Sequence, residues 1–227
     1  MVSCTECGLS RGRTRVVPGE GPETAEVMFI GEAPGQNEDR QGRPFVGAAG
    51  QFLEELIGLA GLERKDVYIC NVIKCRPPGN RDPLPTEIQA CSHWLDDQIR
   101  LVQPKTIVTL GRFSMSRWFP GQSISRIHGQ PAQHGDVMVY PMYHPAAALH
   151  QAALKETIQN DMRALGRMLH PGADADATAA APATVTTTQS PIGGPVASPP
   201  MPSLAVPASP PAQPTDPVEQ PQQLSFF

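Results

Sequence analysis

Residues 67–73 read Val-Tyr-Ile-Cys-Asn-Val-Ile, a run with apolar side chains on both faces of an extended chain. A strand of that composition is stable inside a sheet covered on both sides, as parallel sheets are. Glu26–Ile30, Thr106–Leu110 and Val137–Tyr140 also read as strands. Between them the apolar period changes to that of a helix. Phe52, Leu53, Leu56, Ile57 and Ala60 form one stripe, closed by Gly61. Ile88, Cys91, Leu95 and Ile99 form another, with Thr86 and Gln89 spaced as a capping box before it and Pro104 ending it. A last helix is expected from about Pro145 to Leu169. This alternation predicts an α/β fold, a three-layer sandwich around a central, mainly parallel four-stranded sheet. Ligands of such sheets bind beyond the carboxyl ends of the strands. Gly31, Asn71 and His144 each follow or end an expected strand, so they should meet at one edge.

The alternation stops near residue 170. From Pro171 onward lie 13 of the 26 prolines, no Lys or Arg, and only Asp174, Asp176, Asp216 and Glu219 as acids. Such a segment cannot bury enough apolar surface to offset chain entropy, so it is expected to be disordered. Residues 1–170 form the expected domain, 171–222 a Pro/Ala/Thr-rich linker, and 223–227 a distinct end. The domain carries all 18 basic residues against 18 acids, the chain's 22 less those four. It is formally neutral, so bulk charge does not advertise nucleic acid. Local clusters exist at Arg11, Arg13 and Arg15, and at Lys74, Arg76 and Arg81. No apolar stretch approaches the length of about 18 residues that a membrane span needs, and no signal-peptide pattern opens the chain. A cytoplasmic, monomeric protein without membrane attachment is expected, with cysteines serving metal, catalysis or core rather than disulfides.

Cys4 and Cys7 make a C-x2-C pair, and Cys75 and Cys91, with 15 residues between them, fall on a loop and an early helical turn. Four thiolates suit an iron–sulfur cluster or zinc. Softness alone does not choose between them. Cys70, inside an apolar strand, reads as core.

The loop from Phe29 to Gly50, FIGEAPGQNEDRQGRPFVGAAG, is glycine-rich and follows a strand, as phosphate cradles do. Its acids would repel a phosphate, and no Lys-Ser/Thr pair closes it. The overlapping stretch GEAPGQNEDRQGRPFVGAAGQFL (31–53), with NVIKCRPPGNRDP (71–83) and YHPAAAL (143–149), resembles the three motifs of family 4 uracil-DNA glycosylases, and the four cysteines resemble that family's pattern in order and approximate spacing. The resemblance covers about residues 4–165.

The resemblance implies removal of uracil from single- or double-stranded DNA by hydrolysis of the N-glycosidic bond, leaving an abasic site, with a [4Fe-4S] cluster on Cys4, Cys7, Cys75 and Cys91. The target base must leave the stack, because its scissile bond is inaccessible there. Gly31, Glu32 and Ala33 would then line a pocket for a neutral base. Phe45 would stack on the flipped uracil. Asn71 would read the base edge, since an amide offers one acceptor and two donors to uracil's N3–H and O4, a pattern that cytosine reverses. His144 would donate to O2 as charge builds on the leaving base. Two carboxylates could activate water. Glu38 lies within the family motif and ranks slightly ahead of Glu32, which adjoins Ala33. Better-known uracil glycosylases carry the aspartate of a GQDP motif at the place of Ala33, and a thymine-excluding tyrosine at the place of Gly35. Lys74, Arg76, Arg81, Arg126 and His128 are candidate DNA contacts.

Two other readings compete with this one. A non-catalytic, metal-stabilised nucleic-acid-binding module explains the basic clusters but not Phe45, Asn71 and His144 together. A related glycosylase class of broader or covalent chemistry differs in the first motif. At the far end, Gln223-Leu224-Ser225-Phe226-Phe227 resembles the bacterial sliding-clamp-binding pentapeptide, with Leu224, Phe226 and Phe227 as apolar anchors and Gln223 as its polar lead. Residues 171–222 as a flexible coil would reach roughly 40 Å, at about 5–6 Å × √n.

Overall fold

The computed structural model describes residues 1–171. Five strands form one sheet in the order β2-β1-β3-β5-β4. They are β1 (Val27–Gly31), β2 (Tyr68–Asn71), β3 (Thr106–Leu110), β4 (Ala132–His134) and β5 (Val137–Met142). The β1–β2, β1–β3 and β3–β5 pairs are parallel, and β4 alone runs antiparallel, against β5. The α/β reading holds, with a fifth strand added. β4 is only three residues long and carries Gln133 and His134, so it lacks an apolar run; Gly135, at φ 60, turns the chain into β5.

Among the described residues seven α-helices flank or cap the sheet: α1 (Gln36–Gln41), α2 (Ala48–Leu59), α3 (Pro85–Val102), α4 (Arg112–Met115), α5 (Ile124–Ile127), α6 (Pro145–His150) and α7 (Ala153–Leu169). Alternate residues of β1 sort the core into two layers. Val27 and Phe29 pack with Phe52, Leu56 and Ile57 of α2 and with Ile158, Met162 and Leu165 of α7. Met28 and Ile30 pack on the other face with Leu95 and Val102 of α3 and with Leu9.

Two boundaries differ from expectation. The cap of α3 is Glu87, whose carboxylate accepts the Leu84 N–H at 2.8 Å; Pro85 takes the first helical position, and Thr86 and Gln89 do not form the box. The last helix is two helices, because Gln151 is extended at φ −131 and ψ 94; neither proline nor glycine marks the break. Among the described residues no helix is long and apolar enough to cross a membrane. The linker and the pentapeptide at 223–227 lie outside the described residues.

Candidate active site

The carboxyl ends of β1, β2 and β5 open on one cleft of about 430 Å³. Its lining includes Glu32, Ala33, Pro34, Gly35, Glu38, Phe45, Asn71 and His144, together with Pro77, Asn80, Arg81, Ala146, Ala147 and His150. Gly31 closes β1 directly against this lining. A Cβ there would stand 2.4 Å from Asn71 Oδ1 and 2.5 Å from Phe45 Cζ.

Asn71 is the last residue of β2 and is 2% exposed. Its Oδ1 is buried without a hydrogen-bond partner. A buried acceptor left open is costly, so its position on a cavity wall points to a donor supplied by a ligand.

His144 is the N-cap of α6, and its Nδ1 accepts the Ala146 N–H at 3.1 Å. Burial pushes its pKa down to about 4, against the opposing pull of Glu38. The ring is therefore neutral near pH 7. With Nδ1 accepting, the proton resides on Nε2, which is left as a donor. Capping and ligand donation are thus compatible uses of the two ring nitrogens. The Phe45 and His144 rings lie 27° from parallel with centroids 5.6 Å apart.

Phe45 sits at φ 50, in the left-handed region. Two groups grip its loop. Glu38 Oε1 accepts the N–H groups of Val46 (2.9 Å) and Gly47 (2.8 Å). Arg64 donates to the carbonyls of Pro44 (2.7 Å) and Phe45 (3.2 Å). Gly50 lies so close behind that a Cβ there would fall 2.0 Å from the Phe45 carbonyl oxygen. One oxygen of Glu38 is therefore committed to the backbone. Glu32 is the freer carboxylate. Its pKa is pushed up to about 7 by burial and by Asp82, with Arg112 pulling the other way.

Cys4, Cys7, Cys75 and Cys91 line one small cavity together with Arg13 and Trp94. Arg13 Nη1 donates to Cys75 Sγ at 3.2 Å. Burial pushes the Cys91 thiol up to about 11 and also raises that of Cys75, so both are protonated as free thiols. Among the described residues no three His, Cys, Asp or Glu side chains already stand as a finished metal-holding group. The donor set nevertheless fits a soft metal group. Trp94 Nε1–H, buried and without an acceptor, would gain one from a bound sulfide.

The candidate DNA contacts divide. Lys74 is a correction: it is 1% exposed and points inward, donating to the Asn71 carbonyl (2.6 Å) and to Gln98 Oε1 (2.5 Å). The carbonyl at the end of β2 needs a partner, and the ammonium supplies it, so Lys74 is unavailable to phosphates. Arg81 lines the cleft but makes a bidentate pair with the buried Glu87. Arg76 is half-buried and donates to Asn80 Oδ1, whereas Arg126 is exposed. His128 Nδ1 lies 2.7 Å from Asp161 Oδ2, and its ring meets Tyr143.

Sequence reasoning missed Asp39, whose buried carboxylate accepts the Thr14 N–H and ties the N-terminal segment to α1. It also missed Glu20 and Arg64. Their signal was the lone acid in Pro18-Gly19-Glu20-Gly21-Pro22.

A family model described as the uracil DNA glycosylase superfamily matches residues 18–164. The type-4 uracil-DNA glycosylase of Sulfurisphaera tokodaii is 49% identical over 72% of this chain and 79% of its own length. That of Archaeoglobus fulgidus is 44% identical over 74% and 89%. A type-5 uracil-DNA glycosylase of Pyrobaculum aerophilum is more distant, 33% identical over 58% and 66%.

Proposed function

The chain belongs to the type-4 uracil-DNA glycosylases of the uracil DNA glycosylase superfamily, and from this membership and the cleft we propose that it excises uracil from DNA. The observation that carries this reading is the open, buried Oδ1 of Asn71 in the cleft that Phe45 and His144 also line. A flipped uracil stacks on Phe45, gives its N3–H to Asn71 Oδ1, and takes the Asn71 amide N–H at O4. Cytosine presents the opposite pattern and leaves buried groups unpaired, a cost of about 1–3 kcal/mol or more. Asn71→Asp is therefore expected to slow uracil excision by about 10-fold or more and to raise cytosine excision relative to uracil. Unchanged selectivity in a competition assay removes Asn71 from this role.

As the N1–C1′ bond breaks, its electron pair passes to the base and spreads to O2, where His144 Nε2–H donates. A water oxygen bonds to C1′, and its proton leaves to a carboxylate or to solvent. Glu32 is favoured for holding that water and facing the developing positive charge on the sugar, because one oxygen of Glu38 is committed to the Val46 and Gly47 N–H groups. A carboxyl with pKa raised to about 7 is neutral below that pH and charged above it. The single-turnover rate should rise with pH through about 7 and then level. His144, with pKa about 4, remains neutral throughout that range and does not shape the limb. In Glu32→Gln the limb should vanish; its persistence rules Glu32 out.

Cys4, Cys7, Cys75 and Cys91 would hold the [4Fe-4S] cluster. When bound, the cluster serves as a structural clasp between the N-terminal segment, the Pro77 loop and α3. Purified protein is expected to be brown, with a visible band lost in Cys91→Ala; colourless protein with one zinc would replace the cluster by zinc. Arg76, Arg81 and Arg126, with His128, are the proposed phosphate contacts. Gln223, Leu224, Phe226 and Phe227 are proposed to dock a bacterial sliding clamp, tethering the enzyme near DNA. Calorimetry of a peptide carrying residues 218–227 against the clamp tests this, and absence of heat at micromolar concentrations refutes it.

A further inference from the structure

The stacking wall of the cleft is held in an uncommon conformation by a device outside the three motifs. Phe45 has φ 50, and the turn around it is secured on the carbonyl side only by Arg64 among the described residues. Arg64 spreads its guanidinium over three acceptors. It reaches the Pro44 carbonyl, the Phe45 carbonyl, and, through Nε at 2.9 Å, Glu20 Oε1. Its side chain is 16% exposed, so these bonds are partly sheltered from water.

Glu20 is itself fixed. Its backbone N–H and carbonyl both bond Ile69 of β2, at 2.9 and 2.8 Å. Gly19 and Gly21 flank it at φ 129 and 137, and a Cβ on Gly21 would stand 2.3 Å from the Val67 carbonyl oxygen. Only glycines let this segment lie flat against the edge strand. Two residues beyond Ile69, the same strand ends in Asn71. Glu20 and Arg64 thus brace the stacking wall against the strand that carries the base-reading amide.

We propose that Arg64, oriented by Glu20, is a positioning residue that sets Phe45 relative to Asn71 for the flipped base. This rests on the reading that Phe45 stacks on uracil. Arg43 also pairs with Glu20, but it is well exposed and bonds neither loop carbonyl, so it serves as the control.

The test is single-turnover excision of uracil from an oligonucleotide by the full chain, with thermal unfolding measured alongside. Arg64→Met keeps an aliphatic stem and removes the donors. It is expected to slow excision by about 10- to 100-fold, the scale of a small misplacement near a reacting centre. Arg43→Met should stay near wild type. Arg64→Lys should not restore the rate, because one ammonium cannot span two carbonyls and a carboxylate as the planar fork does. Combined with Phe45→Ala, Arg64→Met should add less than about 2-fold, since both act through one ring. Should Arg64→Met fail to fold, Glu20→Gln, which loosens the guanidinium but leaves its donors, should slow excision and show the same loss of effect beside Phe45→Ala. A slow Phe45→Ala with an undiminished Arg64 effect beside it overturns the positioning role alone, as does a wild-type rate in Arg64→Met. A wild-type rate in Phe45→Ala overturns the stacking reading, and the Arg64 proposal with it.

Discussion

His144→Ala is expected to slow single-turnover uracil excision by about 10²- to 10³-fold, the loss that follows removal of one preorganised donor to a developing anion. The residue does two things, which the prediction must separate. Nδ1 caps α6 through the Ala146 N–H, while burial keeps the ring neutral and leaves the proton on Nε2. Alanine removes both, and loss of the cap alone costs about 1 kcal/mol of stability. His144→Asn separates them. Asparagine is a favoured N-cap, so thermal stability should largely return, but its shorter side chain does not place a donor where Nε2–H stands. Excision should therefore remain slow in a well-folded His144→Asn protein. A rate that recovers together with stability would show that His144 matters only as a cap.

Gly31→Ala should lower kcat/KM by on the order of 100-fold with little change in fold stability. The backbone at Gly31 tolerates any residue, but the added methyl falls 2.4 Å from Asn71 Oδ1 and 2.5 Å from Phe45 Cζ. Both contacts are shorter than real carbon atoms accept, so the amide, the ring or both must move. Those are the two groups that grip the base edge and face. The same change at Gly58, in the last turn of α2, meets nothing within 4 Å and should leave the rate unchanged. Steady-state kinetics on a uracil oligonucleotide, beside thermal unfolding, checks both. Wild-type kcat/KM in Gly31→Ala would mean that the base does not lie against this floor.

The meeting of Gly31, Asn71 and His144 was legible because three strands run parallel, so their carboxyl ends share one edge. β4 was not, because three residues, two of them the polar Gln133 and His134, carry no period. Nor was the inward turn of Lys74. Pro78 to Asn80, a few residues on, are exposed, and charge suggested surface. The deciding fact is tertiary: the Asn71 carbonyl and Gln98 Oε1 meet at one buried point that only a reaching ammonium can fill. Glu38 stood out as an acid in a motif, but its hydrogen bonds to Val46 and Gly47 depend on how the loop folds back nine residues later. The Glu20–Arg64 brace spans 44 residues and belongs to no local pattern beyond two glycines around an acid.

The central claim is tested most directly by incubating the protein with oligonucleotides carrying a single uracil, single-stranded and paired, beside matched thymine strands. The account predicts abasic product from the uracil strands and none from thymine. Absence of abasic product from both uracil forms, or equal cleavage of thymine, would contradict it.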